Sequence, residues 1–318
     1  MNQSRAFRFG ILTGGAASRR EWTDKARQAE ALGYSTLLID DHLYNPFAPL
    51  TALVSAADAT TSLRIGSLVF GNDFRHPVIL AKETATLDIL TDGRLELGLG
   101  SGYWREDYEQ SGITLQSPGM RVSRFEEAVH VIKGLFADDA FTYEGNYYTI
   151  HNLNGLPKPL QKPYPPLLLG GGSKRMLSIA AREANIVGIN VKTTAEGGLD
   201  FSSITPEATE QKIAWVREAA GARFRDLELN ILTFVLVTDQ RRQVAEQISR
   251  EWEMPSDEAS VDGMLASPTF LIGTIDQIVE DLQAHRRRFG LSYFAVAEYL
   301  QADAMERFAP VVARLAGT

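Results

Sequence analysis

Three times along the chain a helical segment runs into one glycine and then directly into an apolar strand. "EALGYSTLLID" turns at Gly33, "ILTDGRLELGLG" at Gly93 and "RRRFGLSYFAV" at Gly290. Glycine is the residue through which a helix most readily exits by the left-handed region, so each stretch reads as the loop carrying a helix into the next strand. Strands that alternate with helices predict a parallel sheet with helices packed outside it, because parallel neighbours need a long crossover between them.

Eight strands fit this rhythm, at residues 7–12, 34–40, 63–70, 94–99, 166–169, 186–190, 227–237 and 291–297. Helices fit at 20–32, 49–60, 77–90, 121–136, 174–184, 206–220, 274–289 and 302–315. Eight βα units in 318 residues predict an α/β fold of the (β/α)8 TIM-barrel type over residues 1–318 as one domain, rather than an open doubly wound sheet. Spare length falls at about 142–165, 191–205 and 238–268. Excursions of that size are commonly functional.

The formal net charge of −8 opposes nucleic acid and anionic membranes as partners. No apolar run approaches the length that spans a bilayer, and the first residues, "MNQSRAFRFGIL", lack a signal-peptide core. With no cysteine there is no disulfide, thiolate nucleophile or zinc-thiolate site, and five histidines offer few metal ligands, so no metal site is expected. These features read as a cytoplasmic protein acting on a small molecule.

A barrel of parallel strands places its active site at the strand C-termini. The residues there form a glycine-rich rim: Thr13-Gly14-Gly15, Asp40-Asp41-His42, Gly71-Asn72-Asp73, Gly100-Ser101-Gly102, Gly170-Gly171-Gly172-Ser173, Asn190 and Glu298. In "PLLLGGGSKRMLSIAAREAN", Ser173 caps a helix that begins with Lys174 and Arg175. Free backbone N–H groups, the helix dipole and two cations together suit an anion, above all a phosphate. A tight βα turn also uses glycine, but three in succession exceed what a turn needs. Neither a dinucleotide fingerprint nor a P-loop is present, since "GLGSGY" and "GGGSKR" have the wrong spacing.

"IDDHL" places the general acid or base of the rim at His42, with a carboxylate beside it. Adjacent strand residues point to opposite faces, so one of Asp41 and His42 faces the barrel mouth while the other anchors the loop. "GYWREDYEQSGI" adds Tyr103 and Trp104 to line a flat ligand and Glu106 as a further acid, with core packing and helix capping as equal alternatives.

Taken together, "RFGIL", "AEALGYSTLLIDDHL", "LRIGSLVFGNDFRHPVILAKETATLDILTDGRLELGLGSGYWREDYEQSGI", "RFEEAVHVIKGLF", "FTYEGNYYTI" and "PPLLLGGGSKRMLSIAAREANIVGIN" resemble the luciferase-like monooxygenase superfamily. Within it the chain is similar to the deazaflavin oxidoreductases that use coenzyme F420. The resemblance implies a barrel with an insertion after the seventh strand, often a homodimer. It implies a flavin or deazaflavin in the mouth over a non-prolyl cis peptide, which maps to Leu68 and Val69. Cofactor contacts are then expected at Leu68, Val69, Ser101, Gly102, Gly170, Gly171, Gly172, Ser173 and Lys174, and an Asp-His pair beside the reacting ring at Asp41 and His42. Sugar-phosphate dehydrogenases of this type carry a Glu just after the fourth strand's glycines, where this chain has Tyr103. The implied activity is hydride transfer between F420 and a small organic substrate. Two alternatives stand beside it: a two-component monooxygenase fed with reduced FMN by a separate reductase, and a non-catalytic flavin-binding protein.

Overall fold

The computed structural model describes residues 5–194 and 196–318. Eight parallel strands close on themselves: β1 (Arg8–Leu12), β2 (Thr36–Ile39), β3 (Arg64–Ser67), β4 (Leu95–Gly100), β5 (Leu167–Gly171), β6 (Ile186–Ile189), β7 (Glu228–Val237) and β8 (Tyr293–Ala297). Each pairs with its neighbour in sequence, β8 pairs with β1 through Phe9↔Phe294, and the pairing of Leu229 with Val187 joins β7 to β6. This is the (β/α)8 TIM barrel read from the sequence, with all eight strands where the helix–glycine–strand rhythm put them.

The three handovers have a common geometry. Gly33, Gly93 and Gly290 have φ of 84°, 73° and 73°, the left-handed region that a side chain disfavours. Their N–H groups reach back to Glu30, Asp88 and Arg286 carbonyls at 3.1, 2.8 and 2.9 Å, closing the helix ends. The principal core lies between strands and helices, built on Phe9, Trp22, Phe125, Phe294 and Phe308. A smaller cluster fills the barrel itself: Leu12, Leu38, Leu68, Leu168, Ile186, Tyr293 and Ala295, with Val69 and Leu232 against it. The strand N-termini are closed by charge. Arg8 donates to Glu96 at 2.6 Å and to Glu228 at 2.7 Å, Arg64 donates to Glu96 at 2.8 Å, and the Arg8 guanidinium lies 3.6 Å from the Tyr293 ring centre. That network closes the barrel interior at this end, so a ligand reaches the interior from the opposite mouth.

The spare segments build structure of their own. Residues Phe141–Glu144 and Thr149–Leu153 form an antiparallel hairpin, and Lys192–Thr193 pairs with Leu199–Asp200. After β7 come helices Arg241–Glu251 and Glu258–Leu265, then a further strand, Phe270–Gly273, which pairs with the outer half of β7. These elements follow the seventh strand, where the resemblance implies an insertion. The helices pack on a core of their own, Ala245, Ile248, Val261, Met264, Phe270 and Ile272.

Candidate functional site

At the end of β2, three consecutive polar residues each tie a different loop to the rim. Asp40 accepts hydrogen bonds from the Tyr299 hydroxyl beyond β8 and from the Asn45 amide, as well as from the His42 backbone N–H at 3.3 Å. Asp41 accepts from both guanidinium nitrogens of Arg75, one at 3.0 Å, and from the Gly71 N–H at 3.1 Å, fixing the loop after β3. Burial pushes the Asp41 carboxyl above the ordinary carboxylate range in spite of Arg75. His42 turns to the loop after β4, where its Nδ1 lies 2.6 Å from Asp107 Oδ2.

The carboxylate of His42 is therefore Asp107, not the neighbouring Asp41. Asp107 lies on a short helix, Arg105–Ser111, and its other oxygen accepts from the Leu43 N–H at 3.0 Å. An ionised carboxylate only accepts, so Nδ1 of His42 carries the proton on that side and Nε2 is left as the exchanging nitrogen. Tyr108 on the same helix donates to Asp73 at 3.0 Å, and Asp73 pairs with Arg124 at 2.7 Å, so the helix is held from two directions. Glu106, the acid nominated from sequence, is exposed. One residue is about 100° of helix rotation, and that turns Asp107 inward and Glu106 out.

An aromatic wall surrounds His42. Tyr44 stacks on the imidazole with ring centres 5.0 Å apart and planes 10° apart, while Tyr103 and Trp104 meet it edge-on at 5.9 and 6.2 Å. Burial, followed by the charges of Asp40 and Asp107, pushes the Tyr103 hydroxyl up to about 12, so it remains a protonated donor at neutral pH.

The peptide between Leu68 and Val69 is cis, at the place the resemblance implies. The neighbouring strand makes room for this segment with glycine. A Cβ on Gly98 would stand 1.9 Å from the Ser67 carbonyl oxygen, and one on Gly100 would stand 2.5 Å from Val69 Cγ2. Ser67 also donates to the Gly98 carbonyl at 2.8 Å. The glycines of "LGLGSG" thus serve the packing of β4 on the β3 exit. Ser101 and Gly102 follow them at the rim, half-buried, with a Cβ on Gly102 excluded by the Tyr108 hydroxyl.

The three glycines after β5 are explained in part by the chain itself. A Cβ on Gly170 would stand 2.6 Å from the Gly188 carbonyl oxygen, and one on Gly172 would stand 2.3 Å from Lys192 Cα. Gly171 would meet only the Met176 side chain. Gly170, Gly171 and Ser173 remain half-buried at the rim. Ser173 caps helix Lys174–Glu183, its Oγ accepting from the Met176 N–H at 3.3 Å. The N–H groups of the first helical residues, Lys174 and Arg175, have no acceptor within the helix. Their side chains point elsewhere. Lys174 reaches Glu218 at 3.1 Å on the outer surface, and Arg175 donates to the Gly119 carbonyl and the Ser123 hydroxyl at 3.1 and 2.8 Å. The cationic half of the expected anion seat is thus already engaged, and the backbone half remains.

Sequence reasoning puts Arg75 and Asp107 in the loops after the third and fourth strands without giving either a role, and it misses Tyr299 and Lys212. Lys212 is buried and donates to the Asn190 and Ser203 carbonyls, both at 2.7 Å, pinning the segment after β6. Burial lowers its amine to about 8. Among the described residues no group of three or more His, Cys, Asp or Glu is placed to hold a metal ion, and no helix is long and apolar enough to cross a membrane.

The chain resembles known proteins of two kinds. It is 24% identical to an F420-dependent glucose-6-phosphate dehydrogenase of Amycolatopsis mediterranei over 84% of this chain and 80% of that protein. It is 24% identical to an FMNH2-dependent dimethylsulfone monooxygenase of Pseudomonas putida over 64% of this chain and 53% of that one. An uncharacterized protein of Mycobacterium bovis is 31% identical over 49% of this chain, and the chain spans 61% of that relative's length. The fold matches that of the coenzyme F420-dependent tetrahydromethanopterin reductase of Methanopyrus kandleri, with a TM-score of 0.78 over 98% of this chain and 99% of that one at 18% identity. The luciferase-like monooxygenase family model covers residues 6–293, and the chain belongs to that family.

Proposed function

We propose that the protein is an oxidoreductase that moves hydride between coenzyme F420 and a small organic substrate at the C-terminal mouth of the barrel. The observation that carries the reading is the His42–Asp107 pair, 2.6 Å apart beneath an aromatic wall. A hydride transfer to or from an organic substrate is coupled to a proton, and this pair provides a group to hold it. When bound, the deazaflavin supplies the two-electron chemistry, and the protein supplies position and electrostatics.

The residues present fit such a group. Leu68 and Val69 offer an apolar support inside the rim. Gly170, Gly171 and Ser173, with the free N–H groups at the start of helix Lys174–Glu183, offer an anion seat made of backbone, which suits the cofactor phosphate. Asp107 holds His42 in one tautomer so that Nε2 gives or takes the substrate's proton. Tyr44, Tyr103 and Trp104 narrow the mouth, exclude water and favour a substrate with an apolar part. Ser101 and Gly102 complete the cofactor rim. A cytoplasmic setting and a homodimer belong to the same proposal, supported by the absence of cysteine and by the family resemblance respectively.

The broad match to the Amycolatopsis protein supports F420. The match to the Pseudomonas monooxygenase supports a second reading, in which a separate reductase delivers reduced FMN and oxygen is the co-substrate. Fluorescence titration with F420, FMN and FAD, run with and without air, separates them. Binding of F420 with none of FMN is the expected result. Oxygen consumption with reduced FMN overturns it in favour of the monooxygenase, and binding with no turnover of any acceptor overturns catalysis itself.

A further inference from the structure

At the opposite end of the barrel, a cleft of about 360 Å³ opens between the C-termini of helices Pro206–Ala220 and Ile275–Phe289. Its floor is apolar, made of Phe224, Leu227, Leu229 and Phe289. Its walls are arginine. Arg225 lies 3.6 Å from Asp226, and Arg288 pairs with Glu207 and Glu210 at 3.3 and 2.7 Å. Of the other four, Arg286 donates to the main-chain oxygen of the last residue, Thr318, at 2.8 Å, while Arg5, Arg217 and Arg287 have no carboxylate within 4.0 Å among the described residues.

Two of these four guanidiniums are engaged by main-chain oxygens and two are not. Arg5 donates to the Asp226 carbonyl at 2.7 Å and Arg286 to the Thr318 carbonyl at 2.8 Å. Arg286 and Arg217 also lie over the Phe7 and Phe224 rings at 3.9 and 4.8 Å. Arg287 has no hydrogen-bond or ion-pair partner among the described residues, and both it and Arg217 are exposed. Cations at helix C-termini complement the helix dipole, which accounts for one arginine per helix. It does not account for six around one concavity in a chain of net charge −8.

We propose that this cleft binds a small phosphate-bearing anion, its phosphates forked by Arg217 and Arg287 with Arg5 and Arg286 alongside, and any organic portion resting on the Phe224–Phe289 floor. Guanidinium matches phosphate bidentately, and convergence of six with fewer carboxylates beside them leaves a local positive field that a multiply charged anion neutralises. The cleft volume falls within the range of small-molecule sites. The site is separate from the mouth and independent of the function proposed for it.

The test is equilibrium dialysis of the full chain against ADP, inorganic pyrophosphate and adenosine at low and high salt, with Arg217→Ala/Arg287→Ala and Ser173→Asp variants. ADP and pyrophosphate are expected to bind, adenosine is not, and affinity should fall as salt rises. The double arginine variant should weaken binding by about tenfold or more, while Ser173→Asp leaves it unchanged. ADP binding more tightly than pyrophosphate places an organic portion on the apolar floor, and equal affinities identify the phosphates alone as the ligand. Absence of binding, adenosine binding as well as ADP, or loss of binding in Ser173→Asp with retention in the arginine variant overturns the site. A change in mass by light scattering on removal of the two arginines also overturns it, by making this face an interface between copies.

Discussion

His42 and Asp107 face each other at 2.6 Å although 65 residues separate them in the chain. Neither the loop that carries His42 nor the helix that carries Asp107 specifies the pair alone; the barrel brings the exits of β2 and β4 together, and the pair closes the gap between their loops. The buried carboxylate orients the ring in the way that fixes a tautomer. Asp107→Asn presents an amide N–H or a carbonyl in place of an obligate acceptor and is expected to lower turnover about 100-fold or more with the melting temperature little changed. His42→Ala should cost on the order of 100-fold in turnover with cofactor affinity intact. Glu106→Gln, at an exposed position, should stay within about twofold of wild type. Steady-state rates of the three variants, with thermal melts as controls, check this, and a Glu106→Gln enzyme as slow as Asp107→Asn removes the assignment.

Gly98 and Gly100 make distinguishable demands. The Cβ of alanine at 98 meets the Ser67 backbone at 1.9 Å, where nothing moves cheaply, whereas at 100 it meets a Val69 methyl at 2.5 Å. Gly98→Ala is expected to destabilise the fold by about 3 kcal/mol or more, at the upper end of overpacking effects. Gly100→Ala should cost about 1 kcal/mol while shifting Val69 and weakening cofactor binding. Urea denaturation and fluorescence titration read the two effects separately, and equal stability losses at both positions contradict this reading of the β3–β4 contact.

What was legible in the sequence follows the range of the interactions involved. The helix exits at Gly33, Gly93 and Gly290 are local events, written in a few consecutive residues, so the strands that follow them were found. Helix Arg105–Ser111 was not recognised because seven residues rich in charge carry little apolar periodicity, and without its register Asp107 and Glu106 looked equivalent. The glycines at 170 and 172 announced a close approach correctly, but whether a ligand or Gly188 and Lys192 made it depended on the fold of residues 186–192. Arg8, Glu96 and Glu228, drawn from three strands into one network, left no trace in sequence spacing.

Ser173 offers a way to separate helix capping from anion binding. Aspartate caps a helix as well as serine does, so Ser173→Asp should leave stability within a few tenths of a kcal/mol. The same substitution places a negative charge at the rim where the backbone N–H groups are free, and it should weaken cofactor binding by about tenfold or more. Ser173→Ala reverses the pattern, losing about 1 kcal/mol of stability with a smaller effect on binding. Paired melts and titrations decide it. Unchanged cofactor affinity in the aspartate variant moves the phosphate away from the fifth loop.

Lys212 makes stability depend on pH in the alkaline range. Its amine falls from the ordinary 10.5 to about 8 because burial penalises the charged form. Between those values the unfolded chain holds one more proton than the folded one, so stability rises with pH across the window and is lost again as pH falls through about 8. The slope is at most about 1.4 kcal/mol per pH unit for one proton. The neutral amine keeps donors for the Asn190 and Ser203 carbonyls, so the latch survives deprotonation while the charge penalty disappears. Lys212→Met removes both the titration and the donors. The wild-type-minus-variant difference in urea stability should therefore increase from pH 8 to 10.5, and amide exchange after β6 should quicken in the variant at every pH. A difference that stays flat across that range shows that Lys212 is not held with a depressed pKa, and unaltered exchange shows that it does not pin the segment.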